Sequence, residues 1–137
     1  MLAKAAIWAA TEPRCAGEIF NVTNGGLFRW QHMWPRIAHM FGVEVGPVQT
    51  IRLAEVMADK GPLWDRMVEK YGLAPNRYED VVSWRFGDFQ WHASYDSLVE
   101  TTKIRRFGFH DVVDDDEMFE RQIAGLRTGK VIPGWEA

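Results

Sequence analysis

Cysteine is nearly absent from this sequence of 137 residues: Cys15 stands alone, so no internal disulfide can form and no CxxC or Cys/His zinc pattern can be assembled. An intracellular, cytoplasmic location fits a chain that uses no disulfides. An excess of positive charge is missing too. The 16 Lys and Arg are scattered among 19 Asp and Glu, giving a net charge of −3, so there is no basic stripe to follow a phosphate backbone or an anionic lipid surface. Nucleic acid and membrane are therefore not expected partners. Long apolar runs are also lacking: Leu2 to Ala10 falls short of the roughly 20 residues that span a bilayer. Glu12-Pro13 ends that run, and "TEPRC" occupies the place where a signal peptide would carry small residues.

The familiar catalytic and nucleotide-binding patterns are missing as well. No P-loop, G-x-S-x-G elbow or H-E-x-x-H pair occurs. Gly25-Gly26 lies between an apolar segment and a helical one, where a dinucleotide fingerprint would sit, but its spacing matches no G-x-G-x-x-G pattern, so it reads as a structural turn. His32, His39, His92 and His110 have no obvious carboxylate to orient them and read as surface or capping residues. The run from Asp114 to Glu117 suits a helix N-terminus, where carboxylates cap free N–H groups, better than it suits a metal.

Aromatic residues are what the sequence has in quantity, with seven Trp and eight Phe. Helical patterns dominate. Leu2 to Ala10 is apolar on every face, which predicts a helix enclosed on several sides. Trp30, Trp34, Ile37, Ala38 and Phe41 form a stripe ended by Gly42, with Pro35 placed near the first turn. Leu53 to Asp59 predicts a short helix. Leu63, Trp64, Met67, Val68 and Tyr71 form another stripe that starts at Gly61-Pro62 and stops at Gly72. Pro75 to Val82 is a further helical segment, Asp96 caps a helix running through Arg106, and Asp114 with Glu117 makes a capping box for a helix through Leu126. "SWRFGDFQW", Ser83 to Trp91, is ambiguous between strand and helix.

Strand signals are few. Glu18 to Val22 reads as a strand buried on both faces, as in a parallel sheet, and Val43 to Val45 and the "KVI" at Lys130 to Ile132 are the other candidates. The tail "GKVIPGWEA" reads as an extended end. A buried strand needs neighbours for its N–H and C=O groups, and those few segments do not encode a sheet. The expected fold is mainly α with one to three short strands.

The segments "FNVTNGGLFRWQHMWPRIAHMFG", "PLWDRMVEKYGL", "WRFGDF" and "TTKIRRFGFHD", followed by a closing helix and "VIP", carry a resemblance that covers essentially the whole chain. In that order they resemble the C-terminal part of the atypical extended short-chain dehydrogenases/reductases. The resemblance is to the progesterone 5β-reductase and iridoid synthase-like branch, whose bacterial members are often described as NAD-dependent epimerase/dehydratase. It implies a protein two to three times as long, with an N-terminal Rossmann domain that holds NADP(H) or NAD(H), and hydride transfer to the C=C bond of enones. On that pattern residues 1–28 are a remnant helix and strand of the Rossmann sheet, and 29–137 are a helical substrate-binding lid. The nucleotide-binding half and the Tyr-x-x-x-Lys pair are absent here: Pro75, Val82 and Val99 stand four residues after Tyr71, Tyr78 and Tyr95.

What the resemblance carries over is the substrate side. The segment matching "WRFGDF" implies that Trp84, Phe86 and Phe89 line an apolar pocket, with Trp30, Trp34, Met57 and Trp64 contributing from neighbouring lid helices. Two functions follow as expectations. In one, the chain is the substrate-binding portion of a reductase, binds no cofactor alone and is inactive alone. In the other, it is a small helical binding or assembly module that self-associates through its orphan strand and aromatic surface.

Overall fold

The computed structural model describes residues 1–134. In chain order the elements are α1 (Leu2–Thr11), a 3-10 turn (Pro13–Cys15), α2 (Trp30–Met40), α3 (Leu53–Val56), α4 (Gly61–Tyr71), α5 (Tyr78–Val81), α6 (Trp84–Trp91), α7 (Thr102–Phe107) and α8 (Asp115–Thr128). Among the described residues there is no β-strand, so the short strands expected from the sequence do not form. The reason is visible at residues 18–24. This stretch is extended, and Phe20 and Val22 turn inward onto Ala5, Ile104 and Phe109 while Ile19 points out at 84% exposure. That alternation is strand-like, but among the described residues no main-chain group of residues 19–23 bonds another segment. A strand exists only as part of a ladder, and no ladder is present.

Side chains hold the extended stretch instead. The Asn21 amide donates to the Glu100 carbonyl at 3.0 Å, and Lys103 pairs with Glu18 at 2.7 Å. The ring of Phe20 packs edge-on against both Trp8 and Phe107. Val43 to Val45 is exposed and irregular. At the "KVI" segment the Val131 N–H returns to the Leu126 carbonyl at 2.8 Å, which makes it a helix ending rather than a strand. The rest of the expected extended tail, 135–137, lies outside the described residues.

The helices follow their sequence signals, with shifts that have physical causes. Three of them end as their glycines require: Gly42, Gly72 and Gly108 take positive φ, and the next N–H returns to Ala38, Val68 and Ile104 respectively. Asp114 caps α8 by accepting from the N–H groups of Asp116 (2.9 Å) and Glu117 (3.1 Å). Pro35 sits inside α2 rather than in its first turn, so one main-chain bond of that helix is given up. The helix expected from Asp96 begins only at Thr102, because the Asp96 carboxylate is taken by a two-point pairing with Arg29 at 3.0 and 2.9 Å. The segment from Pro75 to Val82 is helical only over α5.

Burial is thin. The buried apolar residues among those described are Ala5, Cys15, Met33, Trp64, Leu73, Ile104, Phe109 and Ile123. Helix α1 is not enclosed on several sides as its composition suggested: Ala5 is its one buried position, while Leu2 and Ile7 stand out at 71% and 67% exposure. Its neighbours all lie on one side. The chain exposes 10694 Å², against roughly 7,300 Å² for a compact monomer of its mass.

Candidate functional site

Helix α6 is the "WRFGDFQW" segment, and it resolves the strand-or-helix ambiguity in favour of a helix. The Ser83 hydroxyl begins it, accepting from the Phe86 N–H at 3.4 Å. Helical spacing then puts Trp84, Gly87, Asp88 and Trp91 on one side and Phe86 and Phe89 on another. The first side is anchored. Gly87 is buried, and a Cβ built on it would lie 2.9 Å from the Trp91 ring and 3.1 Å from the Leu53 side chain. Only glycine lets both groups lie over that point of the helix.

Asp88 makes the firmest link between α6 and α3. Its carboxylate accepts from the main-chain N–H groups of Leu53 at 2.7 Å and Ala54 at 3.0 Å, satisfying two orphan donors at the start of α3. The Ala54 N–H, and with it the Leu53 N–H, holds this carboxyl below its ordinary value against the opposing effect of desolvation. A second link runs through Tyr78: the Trp84 indole N–H donates to the Tyr78 hydroxyl at 2.7 Å, and that hydroxyl donates to the Met57 carbonyl at 2.8 Å.

The seven residues expected at the site therefore fall into four places. Trp30 and Trp34 stack with each other at 5.6 Å and meet Trp91 at 5.9 and 5.3 Å, with Phe28 beside Trp30. Trp84 and Met57 are joined through Tyr78. Phe86 and Phe89 lie 6.4 Å apart on the outer side of α6, at 63% and 70% exposure. Trp64 is buried in α4, its indole N–H held by the Asn76 carbonyl at 2.8 Å. Two concavities of the surface, one along α4 between Leu63 and Tyr71 and one between Val22 and Asp111, involve none of the seven. Sequence reasoning missed Trp91, Gly87 and Asp88. The signal was their spacing from Trp84, which places all of them on one helical face.

The Gly25-Gly26 turn is closely packed against α7 and the start of α8. Gly25 takes φ +91°, and a Cβ there would lie 2.8 Å from the Arg105 guanidinium and 3.0 Å from Val112, while Gly26 lies against the Asp115 carboxylate. The turn is structural: the Asn24 carbonyl accepts from the Val113 N–H at 2.9 Å, and the Asn24 amide donates to Asp115 at 3.1 Å. No group of three metal-ligating side chains occurs among the described residues, and no described helix is long and apolar enough to cross a membrane.

No family model matches the sequence. Individual relatives do. The chain is 37% identical over 139 residues to an (S)-8-oxocitronellyl enol synthase of Nepeta cataria and 46% identical over 137 residues to one of Nepeta racemosa. A third, from Camptotheca acuminata, is 34% identical over 137 residues. Each alignment covers 97% of this chain, but only 34% of either Nepeta protein and 35% of the Camptotheca protein. These relatives are plant proteins, and none of them supports a bacterial lineage. The chain is thus homologous over nearly its whole length to (S)-8-oxocitronellyl enol synthases, and it spans about a third of their length.

Proposed function

We propose that this chain supplies the substrate-binding side of an NAD(P)H-dependent short-chain reductase acting on enone or carbonyl compounds, and that it is inactive alone. The observation that carries the reading is homology along 97% of the chain to enol synthases of which it spans 34%. On this reading residues 29–137 correspond to the C-terminal lid and residues 1–28 to the end of a Rossmann sheet. On this reading the cofactor belongs to the rest of such a protein, which is supported by the lack of a G-x-G-x-x-G spacing at Gly25-Gly26. The residues offered to an apolar substrate are Phe86 and Phe89, with Trp84, Trp30, Trp34 and Met57 in the packing tied to the other side of α6, and Trp64 apart from them in α4. Incubating the chain with NADPH and a simple enone tests this. No NADPH oxidation and no tight dinucleotide binding are expected, and turnover by this chain alone overturns the reading.

A second reading is favoured by one specific observation, the surplus of exposed surface. An excess of roughly 3,400 Å² over a compact monomer is the size of a large obligate interface; among the described residues the main-chain groups of 19–23 bond no other segment, and Ile19, like Leu2 and Ile7 of α1, is exposed. On this reading the chain assembles with copies of itself through the extended stretch and α1. Sedimentation tests it: oligomers support assembly, and a compact monomer at high concentration contradicts it.

A further inference from the structure

We propose that Asp88 is a positioning residue: with Gly87 it fixes the roll of α6 about its own axis, so that Trp91 docks on α2 while Phe86 and Phe89 are presented outward as the wall that meets an apolar conjugated carbonyl ligand. The ligand half of this statement rests on the reading of the chain as a reductase's substrate side. The positioning half rests on the geometry alone.

Helix α6 has two aromatic faces, and nothing in its sequence makes one of them the inner face on hydrophobicity grounds. Trp84 and Trp91 lie on one, Phe86 and Phe89 on the other. Two apolar faces of similar strength leave the roll of a helix undetermined by burial. Two features break the tie. Gly87 gives the Trp face a notch into which Leu53 and the Trp91 ring fit, and the Phe face has no glycine. Asp88 then places a carboxylate against two free N–H donors at the start of α3, a pairing that only one roll of α6 permits. Main-chain donors give a carboxylate directional partners, whereas the surrounding apolar contacts are non-directional. Arg52 and His92 are the other charged or titratable groups near Asp88, and the 4.0 Å separation of the His92 ring nitrogen from the carboxylate makes it a secondary partner.

The proposal is tested in the full chain labelled with 5-fluorotryptophan, its ¹⁹F resonances assigned through single Trp→Phe variants. Asp88→Asn replaces one acceptor oxygen by an amide that cannot accept. The expected result is that the signals of Trp91, Trp30 and Trp34 shift, while those of Trp8 and Trp64, which report on packing elsewhere, stay in place. Gly87→Ala produces the same pattern by a separate route, and Asp88→Glu, which keeps the carboxylate, restores it in part. In parallel, affinity for carvone is measured by ligand NMR. At least fivefold weakening is expected in both Asp88→Asn and Phe86→Ala, with Trp signals unmoved in the latter. The positioning role is overturned if the Trp91 signal stays put in Asp88→Asn, or if all seven signals move together, which marks a residue of general stability. If the unaltered chain does not bind carvone at all, the reductase reading of the Phe face fails, and the fluorine spectra still decide the role of Asp88.

Discussion

Lys130 is the one non-glycine residue with positive φ among the described residues, at +54°, and this gives a prediction of opposite sign to most substitutions. It stands just past α8, in the position occupied by Gly42, Gly72 and Gly108 after their helices. The Lys130 N–H returns to the Arg127 carbonyl at 3.0 Å and the Val131 N–H to Leu126 at 2.8 Å, the same pair of bonds that closes the other three. A residue with a Cβ costs roughly 1–2 kcal/mol in this conformation, and glycine avoids that cost while adding about 0.5–1 kcal/mol of unfolded-state entropy. Lys130→Gly is therefore expected to stabilise the chain by about 0.5–1 kcal/mol, a rise in Tm of about 2–4 °C at this length. Thermal melts followed by circular dichroism at 222 nm measure it. An unchanged or lower Tm would refute the assignment of strain to Lys130, since the Ala74 N–H bond to the Lys130 carbonyl at 2.8 Å involves only main chain and survives the change.

Three more outcomes follow from particular residues. Met33 is 1% exposed and the most fully buried large side chain among those described, so Met33→Ala is expected to cost about 2–5 kcal/mol in denaturant unfolding; a loss under 1 kcal/mol would show that α2 does not pack where described. The carboxyls of Glu12, held by Arg14, and of Asp88, held by the Ala54 and Leu53 N–H groups, lie below their ordinary values. The unfolded chain then binds protons that the folded chain does not. The stability these groups contribute is present above the ordinary carboxylate range and is lost as pH falls through it, so Tm should decline on acidification, and less steeply in Asp88→Asn. Burial raises the pKa of the Cys15 thiol, which is 6% exposed, so Ellman's reagent should label it slowly in the native chain and rapidly in denaturant; equal rates would contradict its burial.

The helices were legible because each needs only its own sequence: a stripe, a cap and a glycine are local, and α2, α4 and α8 formed where those signals stood. The strands were not, because a strand is a relation between segments. Ile19, Phe20 and Val22 have strand-like character and an extended backbone, but among the described residues no chain lies alongside to pair with them. Asp96 shows the same limit in another form, since its use by Arg29, far away in sequence, moved a helix start that local rules had placed earlier. The candidate site was legible as an aromatic segment but not in its orientation. Phe86 and Phe89 separate from Trp84 by simple helical spacing, which the ambiguity of Ser83 to Trp91 concealed. That Met33 and not Trp34 is the buried residue of α2 depends on which neighbours arrive.

The central claim is that this chain is the substrate side of a larger reductase, and a chimera tests it most directly. The chain is exchanged for the matching third of the 46% identical Nepeta racemosa enol synthase, and NADPH oxidation in the presence of an enone is measured. The account predicts enone-dependent turnover by the chimera and none by the chain alone. A chimera that folds and binds NADPH but turns over no enone would contradict it.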